Sequence, residues 1–305
     1  MAAPIKTISV IGAGAVGAAY ASKFHDHDKD GISLVAKGQR YERLTGEGLI
    51  INNRHYVFKV IRPEERTPPS DLVLVAVKHH HLKQAIDDIS NRVGEHTIIL
   101  SVMNGIDSEA QIGAVYGMEK MLYCVAVGIN AVREGNRVTF SQQGKLFIGE
   151  ANNRHLTERV KRVQSLFEEA KVVYETPDDM MRTLWWKFMI NVGINQASAV
   201  LGAPYAVFQA STDARALMES AMREVMPIAQ AAGISLSEAD IENWNTFLAN
   251  QSPDAKTSML QDIEAKRKTE IEMFAGKVIE LGREYGIPTP VNQTLYRIVK
   301  VIEQN

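Results

Sequence analysis

Short apolar runs at 7–11, 32–35, 72–77, 97–102 and 121–129 alternate with helix-patterned stretches over the first half of the chain. Each run is apolar throughout rather than at every second position, the pattern of strands covered on both faces of a parallel sheet. A doubly wound α/β fold with a Rossmann-type, mostly parallel sheet is therefore predicted for this half. Residues 137–140 and 145–148, separated by the turn-like Ser141 to Gly144, read as a terminal antiparallel hairpin. A helix over 155–170 and a short strand at Val172 and Val173 are expected next.

The pattern changes at Thr176, Pro177, Asp178 and Asp179, where a proline and acidic N-cap candidates open a long apolar helix. Beyond that point nothing reads as a strand, which sets two domains, 1–178 and 179–305, the second all helical. Further helices are predicted over 213–232, 237–250, 258–285 and 290–303, with Gly233 and Gly286 as stops and a polar, proline-containing break at 251–256.

The long helix, MMRTLWWKFMINVGINQASAVL, is apolar on nearly every side except one. At about 100° per residue, Lys187, Asn191 and Asn195 fall within about 80° of one another, with Ser198 between them. Burying an ammonium or a carboxamide without a partner costs several kcal/mol, so something polar must face this stripe. Two readings are open: a structural hydrogen-bond network with Lys187 reaching outward along its stem, or a water-poor cleft in which desolvation lowers the amine's pKa.

Composition narrows the function. With 305 residues, 45% hydrophobic and 23% charged, the chain has the balance of a two-domain globular protein. Its formal net charge of -2, with both signs interspersed, offers no footprint for nucleic acid or an anionic membrane surface. The single cysteine, Cys124, lies in an apolar run and reads as an inert core thiol. No leader-like or transmembrane stretch is apparent, so the expected location is cytoplasmic. Consecutive His79, His80 and His81 diverge too widely to ligate one ion, and no metal is expected; they read as the opening of a helix. The apolar helices of the second half leave a homodimer open.

The chemistry begins at Gly12, Ala13, Gly14, Ala15, Val16 and Gly17, a GxGxxG loop running from the first strand into a helix. Glycines there permit the tight turn, the approach of a pyrophosphate to the backbone and close helix–strand packing, while the helix N-terminus attracts the anion. After the second strand an NAD-type fold places an acid for the ribose hydroxyl; here Lys37 stands, with Arg40 three residues on. Two cations attract a 2′-phosphate, so NADPH is expected rather than NADH, the alternative being a pair of solvated surface bases. Lys78, and Asn104 with Gly105, end two further strands on the same side, where ligands of open α/β sheets sit.

In the second half, Ser258 followed by Gln261 has capping-box spacing, making Ser258 an N-cap whose helix end also suits a carboxylate. Glu270 and Glu272 lie among alternating charges, and nothing in the composition separates them. Taken in order, GAGAVG, the VK and NG strand ends, KFMINVGIN and SMLQDIEAKRKTEIEMFAG resemble the ketopantoate reductase family (2-dehydropantoate 2-reductase) over almost the full length. The combination of KxxxNxxxN with SMxxDxxxxxxTEI is specific to that family among Rossmann proteins. The resemblance implies an enzyme that reduces 2-dehydropantoate to pantoate with NADPH, feeding coenzyme A synthesis, its substrate held between the two domains. It makes Lys187 the catalytic lysine and Glu270 the acid that binds substrate, and puts Asn104, Asn191, Asn195 and Ser258 around nicotinamide and substrate. One departure is Tyr205, where the family often has asparagine. The alternatives are a reductase of another 2-oxo acid and a non-catalytic NADPH-binding sensor.

Overall fold

The computed structural model describes residues 3–304, which fold as two units divided between Thr183 and Leu184. The division falls inside the long apolar helix, a few residues beyond the change of pattern at 176–179.

The first unit is α/β, as its apolar runs predict. In chain order it comprises β1 (Ile8–Ile11), α1 (Ala15–His27), β2 (Ile32–Val35), α2 (Gly38–Glu47), β3 (Leu49–Ile51), β4 (Arg54–Tyr56), β5 (Lys59–Ile61), β6 (Leu72–Val75), α3 (Leu82–Asp88), β7 (Ile98–Ser101), α4 (Ser108–Tyr116), β8 (Met121–Glu134), β9 (Arg137–Gly149), α5 (Glu158–Glu169) and β10 (Tyr174–Glu175). Strand order runs β4-β3-β9-β8-β7-β6-β1-β2-β5, with β10 beside β9. Pairs from β5 across to β8 are all parallel. The strand order reverses between β1 and β6, and ligands of doubly wound sheets bind at that crevice. All residues of β1, β6 and β7 are buried, the reason those segments show no alternation.

Three expectations for this unit need correction. The segment taken as a hairpin with a turn at Ser141 to Gly144 is one strand, β9, paired antiparallel with β8 along its length. The polar run inside it holds a register shift opposite Asn130 and Ala131, together with Gly144 at φ +67, whose added Cβ would lie 2.6 Å from Ile129 N. A bulged, kinked strand and a turn use the same residues, which is why the sequence misleads. The actual turn is Gly135-Asn136. Second, the predicted strands omit β3, β4 and β5, although Asn52 (φ 46) and Asn53 (φ 66) form the left-handed two-residue turn that Asn favours in hairpins. Third, the expected strand at Val172 and Val173 sits two residues later, at β10.

The second unit has no strand among its described residues. It holds most of α6 (Met180–Leu201), then α7 (Tyr205–Ala210), α8 (Thr212–Ala231), α9 (Glu238–Ala249), α10 (Ser258–Glu264), a π-helical turn Glu272–Gly276, α11 (Lys277–Tyr285) and α12 (Pro290–Ile302). The helix expected over 258–285 is broken. Lys266 adopts φ 50, and Glu303 Oε1 accepts hydrogen bonds from the Thr269 amide at 2.8 Å and hydroxyl at 2.6 Å. Lys, Arg and Glu are good helix formers, so the local sequence gave no hint of a break imposed by the end of a distant helix.

No helix of the described residues is long and apolar enough to cross a membrane. Cys124 is fully buried, which pushes its thiol pKa upward and keeps it unreactive.

Candidate active site

In the first unit, the loops after β1, β6 and β7 leave the same edge of the parallel sheet. Gly12 turns at φ 96, and a Cβ there would lie 2.4 Å from Ala76 O, in the segment just after β6. Gly17 is equally confined, since its Cβ would meet Gly12 O at 2.1 Å. Gly14 has open space instead, with nothing within 4 Å. It caps α1 without a side-chain hydrogen bond, so the first amides of that helix face outward unmet by any side chain. Two glycines close the turn and the third leaves a bare backbone concavity at a positive helix end, a cradle that fits a pyrophosphate.

Lys37 caps α2 and its ammonium donates to Asp88 Oδ1 at 2.7 Å. Arg40 is exposed one turn along α2. Lys78 precedes the single 3₁₀ turn of His79–His81, which leads into α3, and Asn104 and Gly105 (φ 92) follow β7. Both Lys78 and Asn104 are partly buried.

The sequence offered no sign of Glu109, which reads as an ordinary acid in the first turn of α4. It is only 2% exposed. The Ser108 hydroxyl donates to Glu109 Oε2 at 2.9 Å and accepts from Ser101 Oγ at 2.8 Å. Burial raises its carboxyl pKa to about 7, against the lowering effect of its backbone and Ser108 hydrogen bonds. A raised folded-state pKa stabilises the fold below the unfolded value and loses that contribution as pH climbs through about 7. Glu109→Gln is therefore expected to match the parent at about pH 4 and to exceed it above about pH 8 by roughly 3 kcal/mol. Chemical denaturation at the two pH values checks this; a difference independent of pH would reject it.

In the second unit the polar stripe of α6 is partly a network and partly not. Asn195 Nδ2 donates to Asn191 Oδ1 at 3.0 Å, and the Ser258 hydroxyl donates to Asn195 Oδ1 at 3.3 Å. Ser198, on the same face, is not hydrogen-bonded to the asparagines: it donates to Ala203 O and accepts from Thr257 Oγ1. Both asparagines are buried. Lys187, one turn before Asn191, is half-buried, with neither a carboxylate nor a hydrogen-bond acceptor among the described residues. Desolvation alone lowers its pKa to about 8.

Ser258 is not the N-cap. Thr257 holds that position, accepting from Leu260 N at 3.1 Å, which leaves the hydroxyl of Ser258 free for Asn195. Two adjacent hydroxylated residues made the capping assignment ambiguous by one position. Burial separates the two glutamates that sequence left equivalent: Glu270 is 7% exposed at the bend before the π-helical turn, whereas Glu272 pairs with Lys300 at 2.9 Å.

A glycine cradle of this kind on a Rossmann sheet marks a dinucleotide-binding fold, and the family match makes the chain an oxidoreductase. Its family follows from the whole length. Residues 8–153 match the ketopantoate reductase PanE/ApbA family and residues 179–303 match that family's C-terminal part, and the chain belongs to this family. Among relatives, the 2-dehydropantoate 2-reductase of Aquifex aeolicus (strain VF5) is 25% identical over 300 residues, with 96% of each chain covered. The crystal structure of 2-dehydropantoate 2-reductase from Geobacter metallireducens GS-15 is 27% identical, with a TM-score of 0.86 over 96% of this chain and 99% of that one. D-mandelate dehydrogenase in its ternary structure with NADH and anilino(oxo)acetate shares the fold, with a TM-score of 0.89 at 20% identity and 98% of each chain covered.

Proposed function

We propose that this chain reduces 2-dehydropantoate to pantoate with NADPH, with Lys187 as general acid. The observation that carries the reading is the Lys187 amine itself: desolvated, without a counter-ion, and one helical turn from a ladder of carboxamides. A structural lysine in an apolar helix is normally paired or extended into solvent, because burial of an unpaired ammonium is costly.

Bound dihydronicotinamide supplies the hydride to the ketone carbon. As negative charge grows on the carbonyl oxygen, the Lys187 ammonium stabilises it and passes over a proton, giving the secondary alcohol and a neutral amine. With a pKa of about 8 the amine is mostly protonated near neutrality yet a readier donor than an ordinary lysine. Asn191, Asn195 and Ser258 orient the carboxylate and hydroxyl of the substrate by hydrogen bonds. Glu270 accepts one from the hydroxymethyl end. Gly12 to Gly17 hold the pyrophosphate, Lys37 and Arg40 favour the 2′-phosphate, and Lys78 and Asn104 contact the nicotinamide side.

Tyr205 supports a second substrate reading. This partly buried phenol, kept neutral by desolvation, opens α7 where the family often has asparagine. An aromatic wall there suits a bulkier, less polar 2-oxo acid.

Steady-state oxidation of NADPH against 2-dehydropantoate, 2-oxoisovalerate and phenylglyoxylate separates the two. The first reading expects the highest kcat/KM for 2-dehydropantoate, and a higher value for either of the others overturns it.

A further inference from the structure

Arg133 stands near the end of β8, in the two-stranded ribbon that reaches past the main sheet. The tip of that ribbon is tied down next to α2, because β3, which follows α2, pairs with the start of β9 and Ile50 N donates to Asn136 O at 2.9 Å. From there the Arg133 guanidinium reaches the glycine loop, donating from Nη1 to Ala13 O. Its Nε donates to Gly135 O at 2.9 Å. Nη2 is buried and has no hydrogen-bond partner among the described residues.

The charged groups that act on Arg133 are Arg43 and Arg40, which lower its pKa further after desolvation. These two are three residues apart on α2 and so share a face of the helix. Both are exposed, and neither makes an ion pair or hydrogen bond among the described residues, so both can rearrange. Lys37, by contrast, is already committed to Asp88 at 2.7 Å. Arg40 and Arg43 therefore act on a third guanidinium that touches the glycine loop, no carboxylate is among the groups that act on it, and it carries a buried, unused donor. Like charges so arranged repel, and a buried N–H without an acceptor is unfavourable; a dianion answers both at once.

We propose that Arg133 is a cofactor-specificity residue: with Arg40 and Arg43 it binds the 2′-phosphate of the dinucleotide, joining the phosphate site to the glycine loop through Ala13. The inference rests on the NADPH reading and moves the main discrimination from Lys37 to a strand far away in sequence.

Isothermal titration of the full chain with 2′,5′-ADP and with 5′-AMP tests it without turnover. The unaltered protein is expected to favour 2′,5′-ADP. Arg133→Gln and, independently, Arg43→Gln, which leaves the glycine loop untouched, should each weaken 2′,5′-ADP by about tenfold or more while 5′-AMP changes by less than about threefold. Lys37→Gln should cost 2′,5′-ADP less than either. If both ligands weaken equally in Arg133→Gln and Arg43→Gln has no effect, Arg133 is only a loop clamp and the inference fails with the NADPH preference intact. A parent protein that binds 5′-AMP as well as 2′,5′-ADP overturns the NADPH reading and the inference together.

Discussion

Replacing Lys187 by alanine is expected to lower kcat by about 10² to 10⁴ with nucleotide affinity nearly unchanged. The amine lies in the helical unit, remote in sequence from the glycine loop, and in the proposed mechanism its substitution deletes the donor to the developing oxyanion. The stability of the variant should move the other way. An amine whose folded-state pKa is lowered from 10.5 to about 8 disfavours the fold at every pH below about 8, where burial works against its charge. Removing it therefore leaves the melting midpoint at pH 7 unchanged or raised. Activity lost while stability is kept is the signature of a group retained for chemistry. In the proposed mechanism the same pKa predicts a kcat that declines as pH rises through about 8, because the proton to be donated is absent above it. A melting midpoint that falls by several degrees together with unaltered turnover would make Lys187 structural, and a chain that binds nucleotide but never turns over would be a sensor.

The glycine loop is expected to split into two kinds of position. At Gly12, alanine must adopt φ near 96 and put its Cβ 2.4 Å from Ala76 O, so Gly12→Ala should destabilise the nucleotide-binding unit by about 3 kcal/mol or more. At Gly14 the backbone is in the extended region, φ -73, and a Cβ meets nothing within 4 Å. Gly14→Ala should therefore melt with the parent but bind the nicotinamide nucleotide at least about tenfold more weakly, since in the proposed site the added methyl would fill the space for a pyrophosphate at the amides of α1. Thermal melts with and without nucleotide distinguish the two. Equal loss of stability in both variants would mean that the loop's geometry serves packing alone.

The α/β layout of the first unit was legible because parallel strands buried on both faces write themselves as unbroken apolar runs, and α6 because its polar positions recur at helical spacing. β9 was misread because a bulge and a turn draw on the same small and polar residues. The break after α10 was invisible because its cause, the Glu303 carboxylate gripping Thr269, lies at the other end of the unit.

The stripe of Lys187, Asn191 and Asn195 could be read from residue order, since the angle between two side chains on one helix depends only on their separation along it. So could the GxGxxG loop, because backbone freedom is a property of glycine itself. Which of Glu270 and Glu272 is buried, that Ser258 reaches Asn195, and that Arg133 arrives at Ala13 across 120 positions could not. Those facts depend on the solvent and the partners each side chain meets, and for groups brought together from distant parts of the chain these exist only once folding has assembled them.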